Sequence, residues 1–153
     1  MRTFLTVNKK PICKWGMIPP NTYFEGQIPE GYKLCVNPHF PYCIIDIDNK
    51  GEGKNGFDHI PKHLQEELDQ HFNYSTPSGG KHIWILYSGN KKLMNKTSKF
   101  FIDFRTENGY VCWYHHTNIR QCIHLIKETS SDMNTWLESL FQGVKVDNQI
   151  NNK

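Results

Sequence analysis

The sequence predicts an α+β fold, a mostly antiparallel sheet with helices packed on one side. Three observations carry that expectation: short apolar and β-branched runs bounded by turn residues, an Asn-Gly pair between two of those runs, and two stretches with the apolar period of a helix. Residues 3–7 (TFLTV) form the first expected strand. A Pro- and Gly-rich loop from Pro11 to Gly31 follows, with Trp15, Tyr23 and Phe24 as its anchors. Residues 33–36 (KLCV), 42–47 (YCIIDI) and 82–87 (HIWILY) are further strands. Residues 100–105 and 110–114 are expected to pair as a hairpin, because Asn108-Gly109 offers the positive φ angles of a tight turn. Residues 122–126 (CIHLI) are expected as one more strand. A helix is expected from Ile60, with Pro61 in its first turn and Ile60, Leu64, Leu68 and Phe72 recurring at fours. A second follows Thr129, Ser130 and Ser131, which are capping candidates, and buries Met133, Trp136, Leu137, Leu140 and Phe141.

The chain has 153 residues, the size of one domain, here expected over residues 1–143, with residues 144–153 as a flexible tail. Hydrophobic residues make up 37% and mean hydropathy is −0.64, polar values that the 13% of aromatics offset, so disorder is not expected. No apolar stretch approaches the roughly 20 residues of a membrane helix, and MRTFLTVNKK is too short in its apolar part for a secretory signal. A soluble, cytoplasmic protein is the expectation. The five cysteines contain no C-x-x-C pair, which argues against a zinc ribbon and for free thiols.

Charge is segregated. Residues 1–24 hold Arg2, Lys9, Lys10 and Lys14, and residues 88–99 hold Lys91, Lys92, Lys96 and Lys99, with no acid in either stretch. Because the net charge is only +3, the remainder is acidic. Such a pattern suits a chain that meets a polyanion with some surfaces and holds cations with another.

Three constellations could carry chemistry. In Ile44-Ile45-Asp46-Ile47-Asp48, strand alternation sends Asp46 and Asp48 to one face, about 7 Å apart. Two like charges so close invite a divalent cation with oxygen ligands. In Ser75-Thr76-Pro77-Ser78-Gly79-Gly80-Lys81-His82, paired glycines allow backbone to approach a ligand and offer N–H groups to an anion, with His82 opening the next strand. In Phe100-Phe101-Ile102-Asp103-Phe104-Arg105, Asp103 and Arg105 share a face, so a neighbouring position would add a third carboxylate and a guanidinium to the pair. His59 and His63 are separated by Pro61, and His115-His116 follows a strand; neither pair suggests a site. No G-x-S-x-G elbow or Cys–His pairing supplies a nucleophile.

Taken together, IIDID (44–48), TPSGGKH (76–82) and FIDFRTENGYV (101–111) resemble the motifs of the prim-pol family of the archaeo-eukaryotic primase superfamily. Lys10-Pro11-Ile12-Cys13-Lys14-Trp15 is similar to that family's K-x-P…W signature, and the resemblance spans roughly residues 4–127. It departs after G-Y-V, where Cys112-Trp113-Tyr114-His115-His116 replaces a Pro-Pro-Ser turn. The resemblance implies a primase-polymerase catalytic core on an RRM-like sheet. It implies that Asp46, Asp48 and Asp103 bind Mg²⁺ or Mn²⁺, and that Ser78, Gly79, Gly80, His82 and Arg105 contact a nucleoside triphosphate. Lys10, Lys14, Lys91, Lys92 and Lys96 are the expected nucleic-acid contacts. The expected function is template-directed nucleotidyl transfer by a minimal DNA primase or polymerase, with DNA template and primer, nucleoside triphosphates and a separate helicase or replication protein as partners. A phage- or plasmid-encoded protein acting in the host cytoplasm fits the lack of fused accessory domains. The alternative is a non-catalytic nucleic-acid or nucleotide-binding replication module on the same fold, with Trp84 and Phe101 available to stack bases.

Overall fold

The computed structural model describes residues 1–150. It is an α+β structure built on two antiparallel sheets rather than one. The first has the order β2-β1-β3-β9, formed by β1 (Arg2–Val7), β2 (Lys10–Pro11), β3 (Tyr32–Asn37) and β9 (Val111–Cys112). The second has the order β5-β6-β4-β8-β7, formed by β4 (Tyr42–Ile47), β5 (Asn73–Ser75), β6 (Lys81–Leu86), β7 (Lys96–Thr97) and β8 (Ile102–Arg105).

The two faces of the five-stranded sheet have separate tasks. On one, Ile45, Ile47, Ile83, Ile85, Ile102 and Phe104 meet α1 (Lys62–Gln70) and α3 (Ser131–Leu140) through Leu64, Leu68, Met133, Leu137 and Phe141. Each fully buried Ile or Leu there is worth about 1.5–3 kcal/mol. Ser130 caps α3 by accepting from the Met133 N–H at 3.1 Å. On the opposite face, Ile44, Trp84 and Tyr74 join Val36 and Val111 of the first sheet, together with Ile119 and Ile126. The sheet is thus buried on both faces near its middle. That double burial explains the unbroken apolar run Cys43-Ile44-Ile45, where simple alternation would have sufficed for a one-sided strand.

Four expectations are corrected. Residues 122–126 are not a strand: Asn118 accepts from the Arg120 N–H at 2.9 Å and starts a short helix, α2 (Ile119–Cys122), continued by a 3₁₀ turn to Leu125. The pairing anticipated there occurs just downstream, where Leu86 bonds Lys127 and Thr129 through the backbone. Residues 100–105 and 110–114 do not pair either: β8 lies between β4 and β7, whereas β9 crosses to β3 in the other sheet. Neither Asn108 nor Gly109 takes a positive φ. The helices do not all lie on one side, since Ile119 of α2 joins the second cluster. Finally, the segment expected as a loose tail is bonded as far as it is described. Val146 bridges Lys96, and the N–H groups of Asp147 and Gln149 donate to Asn95 and Asn108 carbonyls at 2.7 and 2.8 Å. It is held by these backbone bonds and by polar side chains, with Thr97 Oγ1 donating to Asp147 Oδ2 at 2.8 Å and the Tyr110 N–H to Gln149 Oε1 at 2.7 Å, so it carries no apolar period. Residues 151–153 of that expected tail lie outside the described residues. Among the described residues, no helix is long and apolar enough to cross a membrane.

Candidate functional site

Where the two sheets diverge, a cleft of about 710 Å³ remains. One wall is the end of the five-stranded sheet, contributing Asp46, His82 and Arg105, with Asp48 just past β4 and Ser78 in the turn before β6. The other wall brings Thr6, Lys33 and Cys112 from β1, β3 and β9, and Lys9 from the β1–β2 turn. Tyr110 and Tyr114, which flank β9, also line the cleft.

Register brings the acidic motifs together. Asp46 stands directly opposite Asp103 on β8 and opposite His82 on β6, so three adjacent strands point one side chain each to the same face. His82 is 5% exposed and held at both ring nitrogens: Nδ1 is 3.1 Å from the Tyr74 hydroxyl and Nε2 is 3.5 Å from Asp46 Oδ1. The Tyr74 hydroxyl in turn accepts from Trp84 Nε1 at 3.2 Å and donates to the Cys112 carbonyl at 3.4 Å. Asp48 is set by backbone. Its N–H donates to the Phe101 carbonyl at 2.9 Å, and its own carbonyl accepts from Gly56 at 2.8 Å. Phe101 adopts φ +63° to make that contact, a left-handed conformation that costs a β-carbon residue about 1–2 kcal/mol.

The electrostatics are those of crowded carboxylates. Burial, opposed by Arg105 and reinforced by Asp46 and Asp48, pushes the Asp103 carboxyl from its ordinary 3.8 up to about 7. Asp48 is raised by burial and then by Asp46. Arg105 gives partial relief, with Nη2 at 3.5 Å from both Asp103 and Asp147 and Nη1 donating to the Asp147 carbonyl at 3.0 Å. Hard oxygen donors with raised proton affinity are the ligand chemistry of Mg²⁺ or Mn²⁺, so the donor set fits such a cation. Among the described residues, no three His, Cys, Asp or Glu side chains already stand as an ion-binding group.

The remaining expected residues divide. Ser78 lines the cleft, but the glycine N–H groups are occupied within their turn: Gly79 donates to the Thr76 carbonyl at 3.0 Å and Gly80 to Thr76 Oγ1 at 3.1 Å. Gly80 is there for close packing, because a Cβ would lie 2.1 Å from the Ile47 carbonyl oxygen, while Gly79 takes φ +89°. The glycines therefore seat the Ser78 turn against β4, and their amides are not free for an anion. None of Lys10, Lys14, Lys91, Lys92 and Lys96 lines the cleft. Lys92 pairs with Glu107 at 3.7 Å, and Lys96 donates to the Phe141 carbonyl at 3.2 Å on the helical side. The lysines that line the cleft are Lys9 and Lys33 instead, beside Arg105. Lys9 belonged to the same basic stretch as Lys10; Lys33 carries no local signal. Trp84 is fully buried, so it is not available for base stacking.

Comparison with known proteins adds no relative: no family model matches the chain, and no curated protein matches it.

Proposed function

We propose that this chain is a minimal template-directed nucleotidyltransferase of the primase-polymerase kind, working on nucleoside triphosphates and DNA with Mg²⁺ or Mn²⁺. The observation that carries the reading is the register, with Asp46 opposite both Asp103 and His82 at the end of one sheet and facing Lys9 and Lys33 across a cleft. In the reaction a 3′-hydroxyl oxygen bonds to the α-phosphorus of a nucleoside triphosphate and pyrophosphate leaves. Asp46, Asp48 and Asp103 would hold the cations, which when bound neutralise charge on the phosphoryl oxygens. Lys9 and Lys33 bind the polyphosphate from the opposite wall. Arg105 keeps Asp103 oriented through its contacts to Asp103 and Asp147. Tyr74 fixes the His82 ring so that Nε2 faces Asp46 and the cleft. Tyr110 and Tyr114 in the cleft lining offer aromatic rings for the base.

Incubation with primed template, dNTPs and Mn²⁺ tests this directly. Extension is expected for the wild type and is expected to be lost in Asp46→Ala with the circular dichroism spectrum unchanged. No extension and no primer synthesis by folded wild-type protein would overturn it. Arg105 already neutralises part of the Asp103 charge. That pairing favours a second reading, a nucleotide-binding module without chemistry, which calorimetry would then recognise by cation-independent nucleotide binding.

A further inference from the structure

We propose that Cys35 and Cys112 are a redox-active dithiol in the wall of the cleft, closed by hydroperoxides to a disulfide between β3 and β9. The proposal stands apart from nucleotidyl transfer. Cys35 and Cys112 are directly opposed in the antiparallel pairing, and their sulfurs are 3.4 Å apart. The Trp113 N–H donates to the Leu34 carbonyl at 2.9 Å, making the neighbouring Leu34–Trp113 pair the hydrogen-bonded one. Cys35–Cys112 therefore falls at a non-hydrogen-bonded position, where Cα atoms approach to about 4.5 Å. That lies inside the roughly 4.4–6.8 Å that disulfides span, and the sulfurs need only close to about 2.05 Å.

Access is unequal, and it assigns the roles. Cys112 is half-buried and lines the cleft, whereas Cys35 is completely buried behind it, with Thr6 Oγ1 3.5 Å from its sulfur. The Cys35 thiol donating to Cys112, and the nearby Lys33 ammonium, hold the Cys112 thiol below its ordinary range. The Cys112 thiolate attacks one peroxide oxygen, the O–O bond breaks, and the departing alkoxide or hydroxide takes a proton from water. The Cys35 sulfur then attacks the Cys112 sulfur, and the sulfenic oxygen leaves as water with the Cys35 proton. Overall, two thiols and one hydroperoxide give a disulfide, an alcohol or water, and one further water. Because β9 spans only Val111–Cys112, the bond would pin the short strand that carries Tyr110 and Tyr114 at its ends.

The test treats the full chain with hydrogen peroxide and counts titratable thiols in the monomeric fraction. All five cysteines are free before treatment. The titre is expected to fall by two, to recover with dithiothreitol, and to coincide with a non-reducing proteolytic map that joins the Cys35 and Cys112 peptides. Cys112→Ser is expected to lose no thiols as an internal disulfide. The proposal is overturned if the wild-type titre stays unchanged, if the joined peptides carry other cysteines, or if Cys112 proceeds to sulfinic acid while Cys35 stays free. The map uses the unaltered chain, so it does not depend on how any variant folds.

Discussion

The wall made by β4, β6 and β8 and the wall made by β1, β3 and β9 differ in charge and in construction. The first presents Asp46 from β4 and Asp48 just past it, with Asp103 beside Asp46 on β8 but outside the cleft lining, on strands whose other faces are sealed by Ile45, Ile47, Ile83 and Ile102. The second presents Lys9 and Lys33 beside Tyr110 and Cys112, from strands partly only two residues long and from a turn. Lys9 itself occupies that turn at φ +65°, beside Asn8 at φ +51°, the two-residue hairpin loop in which glycine is usual. Rigid placement of repelling acids suits a group that must be positioned closely. A cation on a turn and another near the start of β3, on long flexible stems, suit a polyphosphate that needs neutralising more than orienting.

Variants can break that contrast, in decreasing order of effect. On the acidic wall, Asp46→Ala is expected to lower primer extension by roughly 10³-fold or more, consistent with the several kcal/mol of charge stabilisation at such centres. Lys33→Ala is expected to raise KM for nucleotide by about tenfold with kcat nearly unchanged, the mark of lost ground-state binding. Equal effects from these two variants on kcat would erase the distinction between the walls. Lys91→Ala and Lys92→Ala serve as controls outside the cleft, and neither is expected to move KM.

Stability sharpens the same contrast without any substrate. The Asp103 carboxyl is raised in the folded protein to about 7, above its unfolded value of 3.8. The folded state therefore holds this proton more tightly, and the stability it contributes is complete below pH 3.8 and lost as pH rises through about 7. At pH 8 the ionised group opposes folding, so the metal-free Asp103→Asn variant is expected to be more stable than wild type by roughly 1–3 kcal/mol in urea melts. Near pH 4 the gap should close. A gap that does not change with pH would mean that the carboxylates are not crowded. On the basic wall the strain is in the backbone, so Lys9→Gly is expected to raise stability by about 0.5–1 kcal/mol at any pH while weakening nucleotide binding.

Much of the acidic wall could be read from the chain and little of the basic one. The runs at 42–47 and 82–87 announced themselves because burial on both faces demands continuous apolar residues, and the structure has strands at Tyr42–Ile47 and Lys81–Leu86. The acids then followed from alternation. Both longer helices were legible from the spacing of Leu64 and Leu68 and of Met133 and Leu137, with the Ser130 cap marking the second. Strands of two residues leave no period to read, which hid β2 and β7, while β9 fell inside the expected strand 110–114 but with another partner, so the crossing between sheets at residues 106–110 was missed. Asn108-Gly109 misled for the same reason: the flanking strands are claimed by different partners, and long-range pairing overrode the local turn preference. Lys33 and Tyr74 gain their roles only from what faces them in space, Lys33 across the cleft and Tyr74 beneath His82. The lysine clusters at 88–99 were legible as charge but not as position.

The measurement that bears most directly on the central claim, that Asp46 and Asp103 share a cation at the end of the five-stranded sheet, is titration of Mn²⁺ followed by loss of the free-ion paramagnetic resonance signal. Wild-type protein is expected to bind the ion, and Asp46→Asn and Asp103→Asn each to bind it at least tenfold more weakly with the fold intact. Equal Mn²⁺ affinity in all three proteins, or none in the wild type, would contradict the account.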